Sequence, residues 1–497
     1  MVEVDSAVVV TMAIYLIGMI GVGVWMYQRT DSLDGFVLGG RSLGPLPAAL
    51  SAQASDMSGW LLLGLPGAIY VAGLGEAWIG IGLLIGTYLN WRFVAERLRN
   101  YTQRANNSIT LSDYFEHRFE DRTRLLRIVS ALVIIFFFSI YVSSGLVAGG
   151  LLFEQVFGID STTAITISVG VIMVYTLLGG FLAVSYTDAF QGLLMVGALI
   201  IVPVLAVIAD GGFAAMNETV RSESPSLLQL FGSASLDDGV WSDAGALGAL
   251  GIISAAAWGL GYFGQPHILA RFMGIRDASM VPLARKIGVT WVAVSLAGAV
   301  LVGIAGIAFF AEPLENPETV FISLITETVN PWVGGILLMA VLAAVMSTAD
   351  SQLLVTSSAL TEDVYRAFID QQAPQKRLLW IGRITTVGVA LFAYVLALGG
   401  GTVLDLVAYA WAGFGAAFGP VIVLSLYWSR MTAPGALAGM VVGSGSVVLF
   451  ANVIDLGIYE IVPGVILSTI AVVAVSRITT PPVRSWQHLD TLEADPV

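Results

Sequence analysis

The sequence predicts an all-α integral membrane protein of about thirteen transmembrane helices. Three observations predict it: an apolar composition, charge-free runs of bilayer length, and two segments at bilayer depth that an unbroken helix would not contain. Of 497 residues, 57% are hydrophobic and 11% charged, and the mean hydropathy is +0.85. No soluble domain of this size has that composition. Runs without a charge cover residues 6–28, 128–153, 189–209 and 287–311, each long enough to cross about 30 Å of hydrocarbon.

The first span, residues 7–27, follows a charged start (MVEVDS) with no small-residue cleavage motif, so it reads as a retained helix. The second (44–73) and third (77–99) are separated by a short turn and lead to an Arg-rich stretch. Within that stretch, 110–127 (TLSDYFEHRFEDRTRLLR) has the pattern of a short amphipathic cytoplasmic helix. Spans at 125–155, 163–180 and 183–209 precede an acidic loop, 210–245, read as a solvated outer connection that could also act as a lid. Further spans fall at 246–266, 287–312, 331–358, 378–398, 404–428, 434–453 and 459–476, and residues from 479 read as a disordered tail.

Basic residues orient these spans, because short Lys/Arg-rich loops remain cytoplasmic. With the N-terminus outside, Arg97, Arg99, Arg104, Arg118, Arg122, Arg124, Arg271, Arg276, Arg285, Lys286, Arg366, Lys376 and Arg377 all fall inside, and Arg221 falls outside. The C-terminal tail, with Arg477 and Arg484, is then cytoplasmic in a plasma-membrane protein.

Residues 51–68 (SAQASDMSGWLLLGLPGA) place Asp56 at bilayer depth beside Gly59, Gly64, Pro66 and Gly67. A carboxylate there costs several kcal/mol, roughly 2.5 to 3.5 on insertion scales, unless it meets a cavity, a cation or a proton path. The neighbouring glycines and proline predict a broken helix whose freed backbone groups can hold ions and small zwitterions. A second such segment, 251–266 (GIISAAAWGLGYFGQP), lies five spans later. Paired breaks separated by an odd number of spans predict an inverted repeat. The predicted organisation is one helix and loop (1–43), a first repeat of spans 2–6 with its outer loop (44–245), a second repeat of spans 7–11 (246–430), two further helices (431–478) and the tail (479–497). That architecture is a secondary transporter's.

Other classes find little support. There is no cysteine for disulfide or thiol chemistry, and His117, His267 and His488 are too scattered for a metal cluster. No nucleophile, base and orienting group converge on one membrane face, so an enzyme is not expected. The net charge of -13 with a pI near 4.6 excludes a nucleic-acid partner. No cofactor and no obligate protein partner are implied.

Four blocks carry a resemblance: GRSLGPLPAALSAQASDMSGWLLLGLPGA, WGLGYFGQPHILARFM, LAAVMSTADSQLLVTSSALTEDVYR and AYAWAGFGAAFGP. They resemble the sodium:solute symporter family, closest to its bacterial-type sodium/proline symporters, from near residue 10 to near residue 470. The resemblance implies a LeuT-type five-plus-five inverted repeat in the lipid bilayer and import of L-proline with Na+ as coupling ion. It places the sodium site on Ala54 and Met57 of the second span and Ala344, Ser347 and Thr348 of the ninth. A hard cation wants oxygen ligands, which carbonyls freed by a break and adjacent hydroxyls supply. Without the resemblance, a Ser-Thr pair in a membrane helix reads as bonding back to its own carbonyls.

The resemblance also assigns Asp56 to sodium coupling, against a plain reading as a cap of the broken helix. Asp188 resembles an acidic residue on the inner sodium path, against an interfacial cap. Arg41 matches a functionally sensitive arginine, against an ordinary inside-positive anchor. Substrate positions fall on Ser58, Gly59, Trp60, Gly64, Tyr141, Trp258, Tyr262 and Pro266, where aromatic faces suit a pyrrolidine ring and its ammonium. Asp350 has no fixed role in the family, and pairing with a buried base, holding a second cation and accepting a proton all stay open. The alternatives are a sodium symporter for another small amino acid or carboxylate, and a transporter-like membrane sensor module, although only about twenty residues follow the last span to form an output domain.

Overall fold

The computed structural model describes residues 5–27, 33–178 and 180–480. In chain order the helices are α1 (Ser6–Tyr27), α2 (Leu33–Leu38), α3 (Pro45–Asp56), α4 (Leu65–Ala72), α5 (Ala77–Leu89), α6 (Glu96–Arg104), α7 (Leu111–Phe119), α8 (Leu125–Phe157), α9 (Ser161–Leu178), α10 (Phe181–Ala209) and α11 (Phe213–Glu223). After a two-stranded hairpin, β1 (Gly232–Asp237) and β2 (Val240–Ala246), come α12 (Ala249–Ala256), α13 (Pro266–Gly274), α14 (Val281–Phe309), α15 (Val320–Thr328), α16 (Pro331–Ser358), α17 (Gln375–Ala397), α18 (Val403–Tyr427), α19 (Ala433–Asn452) and α20 (Ile461–Ile478). Every predicted span has a helix, or a pair of helices, at its position. Among the described residues ten helices are long and apolar enough to cross a membrane, and the stretches Ser161–Leu177 and Ala249–Gly264 are shorter apolar helices. Full-length helices are fewer than predicted spans because the two broken spans are built from short pieces and α9 is itself a short helix.

Both breaks lie where the sequence puts them. α3 begins with Pro45 at its first turn, where the missing N–H costs nothing, and ends at Asp56; Met57 then leaves helical geometry (φ -88, ψ 81). The helix resumes as a wide-pitched turn, Trp60–Gly64, and continues as α4. The second break is a 3-10 segment, Ala257–Gly264, followed by α13, which restarts at Pro266. Glycine lets the broken segment sit against its neighbour: a Cβ on Gly86 of α5 would lie 2.2 Å from the Gly259 carbonyl oxygen. α16 runs through the centre, buried along most of its length, and packs on α1, α3, α8, α9, α10 and α17.

The chain is helical as predicted, and the structure corrects the sequence reading in three places. The acidic loop folds into α11 and a small antiparallel hairpin. That loop is docked and not merely solvated: Trp241 Nε1 donates to Tyr70 O (2.9 Å) and Trp78 Nε1 to Leu230 O (3.0 Å). The amphipathic helix predicted over 110–127 is only Leu111–Phe119, capped by Thr110 and stopped by left-handed Glu120, and it is largely buried. The seventh span continues to Gly274, so Arg271 sits in a buried helix and not in a loop. The predicted tail lies, from residue 481 onward, outside the described residues, as do Arg484 and His488.

Arg41 is likewise no surface anchor. It is buried, and its guanidinium donates to Met273 O (2.7 Å), Ser108 O (2.8 Å), Asn107 Oδ1 (3.0 Å) and Thr102 Oγ1 (3.2 Å). Beside it Leu43 N bonds Gly274 O (3.1 Å) and Arg276 N bonds Leu43 O (2.9 Å), while Arg99 donates to the Ile275 and Arg276 carbonyls. Together these bonds strap the start of the first broken span to the end of the second on the Arg-rich face. At the opposite face Glu318 accepts the amides of Val403 (2.9 Å) and Leu404 (3.0 Å) at the start of α18, and the Glu318 backbone lies 3.0 Å from where a Cβ on Gly67 of α4 would stand.

Candidate functional site

Four of the five predicted sodium ligands converge. Ser347 Oγ, on α16, donates to Ala54 O at the end of α3 (2.8 Å), and Thr348 Oγ1 lies 3.4 Å from the same carbonyl. Ser347 also reaches Ala344 O on its own helix, at 3.2 Å. The shorter bond runs between spans, so the Ser-Thr pair does more than satisfy its own helix. Met57, the fifth, is fully buried at the helix break, where its N–H bonds Gln53 O (2.9 Å). The cluster presents hydroxyl and carbonyl oxygens and no formal charge, a donor set suited to a monovalent hard cation.

Asp56 is not the predicted cap. It is the last residue of α3, and the turn that follows has no side-chain cap bond. Its carboxylate Oδ2 accepts from Tyr262 OH (2.5 Å), and its carbonyl accepts from Tyr141 OH (3.0 Å) and Trp60 Nε1 (3.2 Å). Oδ1 has no partner. Three predicted substrate residues from three spans therefore fasten on one residue at the break, two residues beyond Ala54.

The remaining predicted positions divide in two. Trp60 and Trp258 face each other with centroids 6.1 Å apart, and Trp258 also stacks on Tyr459 (5.5 Å) and Trp411 (6.5 Å). Tyr262 stands perpendicular to Trp411 at 5.1 Å. Ser58 is buried at the break and Pro266 starts α13. Gly59 and Gly64 serve close helix packing: a Cβ on Gly59 would stand 2.4 Å from Ala148 Cβ, and one on Gly64 3.1 Å from Leu404 Cβ.

Asp188 lies inside α10 and is fully buried, which removes the interfacial-cap reading. Arg271 Nη2 pairs with its Oδ2 (3.1 Å) and with Ser351 Oγ (2.5 Å), Arg271 Nε donates to Ser51 Oγ (3.0 Å), and Ser51 Oγ donates to Asp188 Oδ2 (2.7 Å). Asp350 joins through Ser351 Oγ at 3.5 Å. One guanidinium is thus paired with Asp188, while Asp350 reaches the cluster only through Ser351, and its Oδ2 has no hydrogen-bond partner among the described residues.

Sequence reasoning missed Arg271, Trp411 and Tyr459 as neighbours of the predicted site residues. Trp411 carries a signal, standing inside the AYAWAGFGAAFGP block; its indole donates to Trp258 O (2.7 Å). Arg271 is one helical turn beyond His267 and flanked by apolar residues on both sides, which argues for a continuing helix more than for a loop. Nothing local marks Tyr459.

The family model for sodium:solute symporters matches residues 36–443. The chain belongs to the sodium:solute symporter family. Among its relatives, the sodium/proline symporter of Escherichia coli is 49% identical over 492 residues, covering 97% of this chain and 95% of the relative. The high-affinity proline transporter PutP of Bacillus subtilis is 49% identical over 469 residues (93% and 96%), and the osmoregulated proline transporter OpuE of the same species is 45% identical over 489 residues (97% and 97%). A sodium-coupled sialic acid symporter solved in a substrate-bound, outward-open state superposes with a TM-score of 0.78 at 18% identity, covering 96% of this chain and 99% of that one. MhsT in complex with L-phenylalanine gives 0.54 at 16% identity, with 86% and 97% covered. The fold of this symporter is thus that of the LeuT-type transporters, a multi-pass helical membrane protein.

Proposed function

We propose that this chain is a sodium-coupled secondary transporter that imports L-proline by sodium/proline symport with alternating access. The observation that carries the reading is the joint at Ala54 to Asp56: sodium-type oxygens from α16 and aromatic hydroxyls from α8 and the second break meet within three residues of one broken helix. The names of relatives at 45 to 49% identity over nearly the whole chain supply the substrate.

A sodium ion settling among Ala54 O, Met57 O, Ala344 O and the Ser347 and Thr348 hydroxyls would turn those hydroxyls from donors to the Ala54 carbonyl into ligands beside it. The end of α3 would then be fixed against α16, and with it Asp56 and the rings bonded to Asp56. Proline binding is favoured by that order, since its ring packs on Trp258 and Trp60 while its charged groups use the polar atoms of the breaks. The Asp188 cluster, on the Arg-rich side, is read as the ion's inner path. We assign the N-terminus to the outside, the C-terminus to the cytoplasm and the membrane to the plasma membrane, and we take residues 44–245 and 246–430 as the two inverted repeats.

The structure divides the substrate residues into two kinds that behave differently on mutation. Trp258→Ala removes ring contacts alone, so proline affinity falls by about tenfold or more while sodium affinity changes little. Tyr262→Phe keeps the ring but leaves the Asp56 carboxylate without its donor, so both sodium and proline affinities fall. Isothermal calorimetry on purified protein separates the two. Equal effects on both ligands in both variants would remove this division, and uptake of alanine or another small carboxylate in preference to proline would favour the alternative substrate.

A further inference from the structure

On the two broken spans, residues 45–72 and 249–274, the buried side-chain atoms without a hydrogen-bond partner among the described residues are Gln53 Nε2 and Oε1, Asp56 Oδ1, Gln265 Oε1, and both ring nitrogens of His267. Unpaired buried polar atoms are costly, roughly 1 to 3 kcal/mol each, and persist where a ligand or water completes them. Asp56 Oδ1 and Gln265 Oε1 can only accept, which suits the substrate's secondary ammonium. Its carboxylate needs donors. Gln53 Nε2 points elsewhere, standing 3.3 Å from where a Cβ on Gly288 of α14 would lie. His267 remains, fully buried, and in either tautomer it offers one N–H.

His267 occupies the second residue of α13, directly after Pro266. No side chain caps this helix start; Gln265 Nε2 is turned to Gly261 O (3.2 Å) and Trp411 O (3.3 Å). First-turn amides have no intrahelical acceptor, and with the helix dipole they favour an anion. The imidazole packs edge-to-face on Tyr141, with centroids 6.1 Å apart, and on Phe138 at 5.4 Å. Because Tyr141 OH holds Asp56 O, the ring lies one aromatic side chain from the joint. One turn along, Arg271 Nη1 donates to His267 O (3.1 Å), which ties the helix start to the Asp188 cluster.

We infer that His267 and the first-turn amides of α13 form the subsite for the substrate's carboxylate, with the imidazole N–H as the selective donor. The inference rests on the proline reading above and deepens it. The two halves of the zwitterion are then divided between the breaks, the ammonium toward Asp56 and Gln265 and the carboxylate toward His267.

The test measures competition against radiolabelled proline uptake in proteoliposomes by unlabelled L-proline and by L-prolinamide, which keeps the ring and ammonium but has no carboxylate. His267→Phe preserves the stacking on Phe138 and Tyr141 without an N–H, and His267→Gln keeps a donor. The preference for proline over prolinamide is expected to fall by about tenfold to hundredfold in His267→Phe, the worth of a hydrogen bond to a charged group. It should stay within a few-fold of wild type in His267→Gln, with the half-saturating sodium concentration little changed in both. A His267→Phe protein that retains the wild-type preference overturns the subsite. Equal weakening of both ligands also overturns it, because that is the mark of a purely structural role. If His267→Phe does not insert, His267→Leu is judged by the same ratio. A wild-type protein that ignores proline altogether removes the sodium/proline reading itself, and this subsite with it.

Discussion

Arg271→Leu is expected to cause the largest loss of stability of any single substitution at the site, on the order of 3 to 5 kcal/mol. The side chain has no exposed surface and donates to Asp188, Ser351, Ser51 and the His267 carbonyl. Its removal leaves two carboxylates, Asp188 and Asp350, buried without a counter-charge, and the cost of that far exceeds the net worth of the ion pair. Arg271→Lys restores the charge without the planar fork and recovers only part of the loss. Adding Asp188→Leu to Arg271→Leu recovers stability as well, because one of the stranded charges is removed. Thermal unfolding in detergent, arranged as a double-mutant cycle, measures this. A single variant that melts like wild type would mean that the guanidinium is not the counter-charge of this cluster.

The second large effect is on coupling. Replacing Ser347 and Thr348 together by alanine removes two of the five proposed sodium ligands and leaves only carbonyls. A net loss of about 1 to 1.5 kcal/mol per hydroxyl raises the half-saturating sodium concentration roughly tenfold for each. The protein should still fold, since both hydroxyls are short side chains bonded only to carbonyls, Ala54 O and Ala344 O. By linkage, sodium must then enhance proline binding less, and proline must enhance sodium binding less by the same factor. Sodium-dependent uptake measured across a concentration series shows the shift, and an unchanged curve at normal expression would place the ion elsewhere.

Much of this architecture was legible in the sequence because hydrocarbon imposes strong rules. A span must be apolar and long, and a glycine, a proline or a carboxylate at bilayer depth demands a reason. Those rules located both breaks to within a few residues and brought out Asp56. They did not reveal how side chains from distant spans pair. Arg271 read as a loop residue because positive charge near a span end usually marks the cytoplasmic face, whereas its partner, Asp188, lies 83 residues away in sequence. The bonds of Arg41, to carbonyls at Ser108 and Met273, are likewise announced by no local pattern. The hairpin at 232–246 escaped notice because its strands are short and rich in serine, aspartate and glycine, residues depleted from strands.

Uptake of radiolabelled L-proline into proteoliposomes containing only this protein tests the central claim most directly. An inward sodium gradient should concentrate proline above its equilibrium level, and collapsing that gradient with a sodium ionophore should release it. Uptake of equal rate and extent with sodium replaced by potassium or choline would contradict sodium/proline symport.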